Sequence, residues 1–214
     1  ELTELVTDAH QKGWQVAIHT NGDQAIDNAL DAVEAALDDT PRADHRHRLE
    51  HVQMAREDQL ERMARLGVLA SVFANHVWYW GGRHRDRFLG PERAERIDPL
   101  ASFAAHGIPH ALHCDAPVTP IDPLFSLWTA VTRTTRDGEV LGPAQRASVE
   151  AAVAGYTSSA AYLNMEERDK GTLEAGKLAD LVVLGEDPFE VEPDAIRDID
   201  VLATVVGGSV EFSA

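Results

Sequence analysis

Apolar positions along this chain keep changing period. Stripes at helical spacing give way to short unbroken apolar runs and then return. Leu2, Leu5, Val6 and Ala9 predict a helix over residues 1–12, stopped by Gly13. Trp14 to His19 reads as a first strand, and Ile26, Leu30, Val33 and Leu37 then mark a helix with Asp23 as its N-cap. Arg48 to Val52 is a second strand. Glu57 to Leu66 is a helix turning Leu60, Met63 and Ala64 inward, ended by Gly67. Val68 to Ala74 is apolar on both faces and rich in β-branched residues, as a buried strand requires. A long polar and aromatic loop is expected from Asn75 to about Ile97. Asp98-Pro99 then opens a helix, with the acid as cap, the proline at the first helical position, and Leu100, Phe103 and Ala104 inward. After Gly107, the stretch Ile108–Val118 holds an apolar run that ends in the acid Asp115, and Asp122-Pro123 opens a helix carrying Leu124, Leu127, Trp128 and Val131.

Strand, helix, glycine, strand thus recurs four times, which demands a parallel sheet with helices outside it. A doubly wound sheet and a (β/α) barrel both satisfy the alternation. Polar residues gathered at the C-terminal ends of three different strands favour the barrel. Four units make half of one, so the expectation is an α/β chain: the second half of a (β/α)8 TIM-like barrel over residues 1–165. Beyond it, Val149 to Asn164 reads as one small-residue-rich helix. The stretch 171–184 gives turns and a strand, and Val201–Val206, Gly207-Gly208 and Ser209–Phe212 read as a closing hairpin. Residues 166–214 are therefore assigned to a small β appendage.

Composition narrows the partners. Among 214 residues, 19 Lys and Arg face 36 Asp and Glu, for a net charge of −17. Such a surface repels phosphate backbones and anionic lipid, so neither nucleic acid nor membrane is expected as a partner. The single cysteine, Cys114, excludes an intramolecular disulfide and suits a reducing, cytoplasmic setting. The chain opens at Glu1 inside an amphipathic pattern, so it reads as the later portion of something longer. An open half-barrel leaves strand edges bare, and either self-association as a homo-oligomer or an N-terminal half is expected to cover them.

The chemistry gathers at strand ends. His19 and His51 close two apolar runs, and Asp115 closes a third. Two imidazoles and a carboxylate suit a divalent metal of the zinc type, one ion or two. The plainer alternatives are a satisfied polar residue at a strand end for each histidine and a turn-capping acid before Pro117 for Asp115. His113 lies two residues before Asp115 and shares its face; it either orients the acid or sits hydrogen-bonded in the core. Cys114 points the other way, as an inert core thiol. Asp23 caps its helix or orients His19. Glu50 and Gln53 flank His51 as outer neighbours or as solvated groups. The loop after the third strand carries His76, Trp78, Tyr79, Trp80, Arg83, His84, Arg85 and Arg87. It either walls a substrate pocket, with His76 polarising a carbonyl and Arg83 or Arg87 pairing a carboxylate, or packs as a surface flap.

Three ordered motifs are more specific than any one residue. His19-Thr-Asn-Gly-Asp, Arg48-Leu-Glu-His51-Val-Gln and His113-Cys-Asp115-Ala-Pro-Val-Thr-Pro resemble the metal-dependent amidohydrolase superfamily, and most closely its family 3 branch of N-substituted formamide deformylase-like enzymes. Gly171-Thr-Leu-Glu-Ala-Gly-Lys-Leu-Ala-Asp180 is similar to that family's C-terminal β-sandwich segment, so the resemblance covers nearly the whole chain. It implies metal ligation by His19, His51 and Asp115, with Asp115 also catalytic and the metal activating water to hydrolyse a non-peptide C–N bond of a small amide or formamide. His76, His113, Trp80 and Arg83 would then serve the substrate or orient the ligands. The family's first-strand His-x-His pair and its fourth-strand carboxylated lysine or acid have no counterpart here. That leaves open an incomplete, non-catalytic half-barrel or binding module.

Overall fold

The computed structural model describes residues 1–214. Helix α1 (Leu2–Gln11) leads into strand β1 (Ala17–Thr20), helix α2 (Asp23–Asp39), strand β2 (Arg48–His51), helix α3 (Glu57–Leu66) and strand β3 (Leu69–Val72). Strand β4 (His110–Leu112) follows three helical pieces, α4 (His76–Arg83), α5 (Pro91–Ala94) and α6 (Leu100–Ala105). The four strands form one parallel sheet in the order β1-β2-β3-β4, with Ala17 opposite Arg48, Arg48 opposite Leu69 and Ala70 opposite His110. Chain order and spatial order coincide, without the reversal that defines a doubly wound sheet. All of β3 is buried, which accounts for its unbroken apolar run.

The core lies between sheet and helices. Ile26, Leu30 and Val33 of α2 pack with Leu49, Leu60, Met63, Val72 and Phe103, while Trp128 and Val131 enter from helix α7 (Pro123–Thr132). Asp122 caps α7 by accepting the Phe125 N–H at 3.0 Å, with Pro123 in the first turn, as the sequence predicts. Helix α8 (Val149–Tyr156) reaches β4 because Gly155 has no side chain: a Cβ there would lie 2.9 Å from Leu112 Cγ.

Several expectations need correction. Gly22, not Asp23, occupies the N-cap of α2; the Asp23 carboxylate instead accepts the Gln24 N–H and pairs with Arg93 at 3.0 Å. Ala64 and Ala104 are exposed, since small apolar side chains lose little by facing water. The expected loop over 75–97 is largely helical: α4 runs into a π-helical turn, His84–Phe88, before α5. Its apolar positions are few, and Val77, Ala94 and Ile97 form a small separate cluster with Leu141, too sparse to show as a stripe. Asp98 does not cap α6, because its backbone is left-handed (φ +48) and its carboxylate is engaged elsewhere. The expected single helix over 149–164 is two, α8 and α9 (Ser158–Leu163). Thr157 breaks it, its hydroxyl donating to the Val153 carbonyl at 2.8 Å.

A second sheet, antiparallel, holds β5 (Leu181–Leu184), β6 (Val201–Val206) and β7 (Ser209–Ser213) in that order. Gly207 and Gly208, both at positive φ, form the tight turn between the last two strands. Between β5 and β6, the turn Pro193–Asp198 packs on α7: Ile196 enters the main core and Trp128 Nε1 donates to Asp194 at 3.3 Å. No helix is long and apolar enough to cross a membrane.

At the N-terminal foot of the sheet, His10, His45 and His47 are buried together. His47 Nδ1 accepts the Val16 N–H at 3.0 Å, so its Nε2–H donates to His10 Nδ1 at 2.8 Å, and His10 Nε2–H donates to the Thr40 carbonyl at 2.6 Å. His45 accepts the His47 N–H at 2.9 Å and donates to the Leu66 carbonyl at 2.9 Å. Every ring nitrogen is occupied. Burial, reinforced by the neighbouring histidines, pushes His47 down to about 3.

Candidate metal centre

Three strand ends at the opposite rim carry the candidate ligands. His51, the last residue of β2, has φ +68; Val52 follows at +51, and Asp115 beyond β4 stands at +53. Non-glycine residues rarely adopt this region, least of all a β-branched valine, and each costs about 1–3 kcal/mol. The bends turn His51 and Asp115 towards one cleft of about 650 Å³, bordered also by His19, His113, Arg48 and Glu50.

His19 and His51 lie edge to face with ring centroids 4.6 Å apart, and His113 stands 5.0 Å from His51. His51 is buried and its Nδ1 has no protein partner; His113 Nε2 is likewise buried and unpartnered. Burial pushes His51 down to about 4, helped by the neighbouring charges of His113, His76 and His19 and opposed by Asp115. Burial lowers His113 as well. Neutral imidazoles with idle nitrogens are the form that ligates a metal. By chemistry this donor set fits a divalent cation. By position it is part of a shell, since no three His, Cys, Asp or Glu side chains close on one point.

The other expected residues divide. His76 lies 5.8 Å from His51, ring to ring, held by Asp98 through Nδ1 at 3.1 Å. Trp80 packs beside Phe73 and His76, with centroids 6.1 and 5.9 Å away. Arg83 is exposed and borders a separate hollow of about 310 Å³ with Trp78, Arg136 and Asp137, away from the histidines. Cys114 borders the main cleft, not the core, because β4 ends at Leu112 and strand alternation stops with it.

Some of the cleft was not foreseen. Arg48 pairs with Glu50 at 2.7 Å on its wall. Burial alone would raise the Glu50 carboxyl, yet hydrogen bonds from Arg48 and Ser71 outweigh it and the net shift is downward. Alternation around the buried Leu49 was the available signal. Tyr156 contributes a buried hydroxyl that burial raises to about 12 against the opposing effect of Ser126, and no local pattern announces it.

Strand-end histidines on adjacent parallel strands, with an acid on the same cleft, are the kinds of side chain that metal-dependent hydrolases use. Residues 1–212 match the model of the amidohydrolase family, and the chain belongs to that family, in its family 3 branch. It is 32% identical to the N-substituted formamide deformylase of Arthrobacter pascens over 99% of this chain and 39% of that enzyme. It is 30% identical to the putative amidohydrolase YtcJ of Bacillus subtilis over 99% of this chain and 40% of that protein. Among solved structures, an uncharacterized metal-dependent hydrolase from Pyrococcus furiosus superposes with a TM-score of 0.73 at 32% identity, over 89% of this chain and 37% of that one. The chain therefore spans about two-fifths of the relatives it matches.

Proposed function

We propose that this chain forms part of the active site of a zinc-dependent hydrolase that cleaves the C–N bond of a linear amide or formamide. The observation that carries the reading is the His19–His51 pair, 4.6 Å apart on adjacent strands over the cleft that Asp115 borders. His19, His51 and Asp115 would hold the ion. Such an ion supplies Lewis acidity, polarising a carbonyl and making water a better nucleophile near neutral pH. Asp115 takes the proton of the attacking water on a carboxylate oxygen and returns it to the departing nitrogen. The Arg48–Glu50 pair fixes charge on the cleft wall. We read the parallel sheet, over residues 1–165, as half of a (β/α) barrel, and residues 166–214 as its β-sandwich segment; the unreversed strand order supports the barrel.

A second reading is favoured by the unclosed ligand set: a half-barrel that binds without catalysing until another segment completes it. Metal analysis after dialysis against zinc separates the two. Stoichiometric zinc that is lost in His19→Ala is the expected result, together with release of formate from an N-substituted formamide. Protein that stays metal-free after zinc is supplied sinks the first reading.

A further inference from the structure

Behind His76 stands a mount that the proposed chemistry does not consume. Asp98 is fully buried and held at φ +48. One of its carboxylate oxygens accepts the His76 Nδ1–H at 3.1 Å, and the other is buried with no partner. Its N–H donates to the carbonyl of Gln53, two residues beyond His51, at 2.9 Å. Arg133, also fully buried, grips the same segment. Its Nη1 donates to the Asp98 carbonyl at 3.1 Å, its Nη2 to Ile97 at 2.7 Å and its Nε to Leu141 at 2.7 Å.

A buried carboxylate with an idle oxygen, on a left-handed backbone, is unfavourable twice over. A cap would need neither burial nor strain, and Asp98 does not cap α6. What the arrangement does accomplish is specific. A neutral imidazole has one N–H, and giving it to Asp98 leaves Nε2 as a bare acceptor. The Arg133 guanidinium, gripping the same turn, places buried positive charge beside the carboxylate that accepts from His76.

Building on the amide-hydrolase reading of the cleft, we infer that Asp98 and Arg133 are positioning residues for His76: together they fix its Nδ1–H tautomer and present Nε2 as a hydrogen-bond acceptor beside His51. The role is the reverse of carbonyl polarisation, which needs a donor. An acceptor there suits the N–H of a secondary amide.

The tautomer is read directly by long-range ¹H–¹⁵N correlation NMR on histidine-labelled full chain near pH 8, with His76→Asn assigning the ring. Wild-type His76 is expected as the Nδ1–H form. Asp98→Asn suits the left-handed backbone as well as aspartate does, but its amide can donate, so the Nε2–H form should gain population. With zinc supplied and an N-substituted formamide as probe, its kcat should fall by about 10²-fold or more, with KM within about twofold. Wild-type His76 in the Nε2–H form, or Asp98→Asn with unchanged His76 resonances, overturns the inference. Should that variant not fold, the wild-type tautomer alone decides. The spectrum needs no turnover, so a protein that hydrolyses no amide yet shows the Nδ1–H ring refutes the proposed function and leaves the mount standing.

Discussion

At pH 5 the folded protein is expected to be about 2 kcal/mol less stable than at pH 7, from His47 alone. In the unfolded chain this histidine takes its proton near 6.5; in the folded protein it does so only near 3. Between those values the unfolded chain holds more protons, so stability falls with falling pH by about 1.4 kcal/mol per unit. The contribution is complete above 6.5, and no more is lost below 3. Burial is the main cause, and the hydrogen bonding is consistent with it. His47 Nδ1 already accepts the Val16 N–H, so a proton there would face another proton. His45 and His10 on either side, with Arg42, oppose the charge as well, and His45 is itself lowered by burial. Urea titrations at the two pH values give the loss, and His47→Gln should flatten the dependence. An unchanged slope in that variant would mean the foot of the sheet is not where acid acts.

Replacing Arg133 by methionine should cost about 3–5 kcal/mol in denaturant unfolding. Burial pushes its guanidinium down to about 10, yet it stays charged at neutral pH and gives three N–H groups to the carbonyls of Ile97, Asp98 and Leu141. Without it the Ile97 and Leu141 carbonyls lose this donor, the Asp98 carbonyl keeps only the Leu100 N–H at 2.8 Å, and the Asp98 carboxylate is buried without the neighbouring positive charge. Arg133 also closes α7 in the left-handed region, where methionine is no better suited. A loss below about 1 kcal/mol would show that water replaces the guanidinium at no cost.

The parallel sheet and its helices were legible because strong periodicity and glycine stops agree with the tertiary structure. Glu57–Leu66 ends at Gly67, at φ +71, as anticipated. The His76–Phe88 segment was not legible, since tertiary contacts from Phe73, Phe125 and Leu141 stabilise a helix that its own sequence barely patterns. The site shows the same division. His19, His51, His113 and Asp115 were visible as polar residues breaking apolar runs, and all four border one cleft. Asp98 looked like an ordinary cap because Asp-Pro before an apolar stretch usually is one. Its engagement with His76 depends on a residue 22 positions away, which no local rule reaches.

Trp128 ties the turn between β5 and β6 to the main core. Its indole lies under the Arg197 guanidinium, 4.3 Å from ring to charge, while Ile196 sits in the same apolar interior as Leu30 and Val72. The terminal strands therefore cannot peel away while the rest stays intact, because peeling would pull a plug out of the interior. Heating should melt the molecule in one cooperative step, with the three-stranded ribbon and the larger sheet lost together.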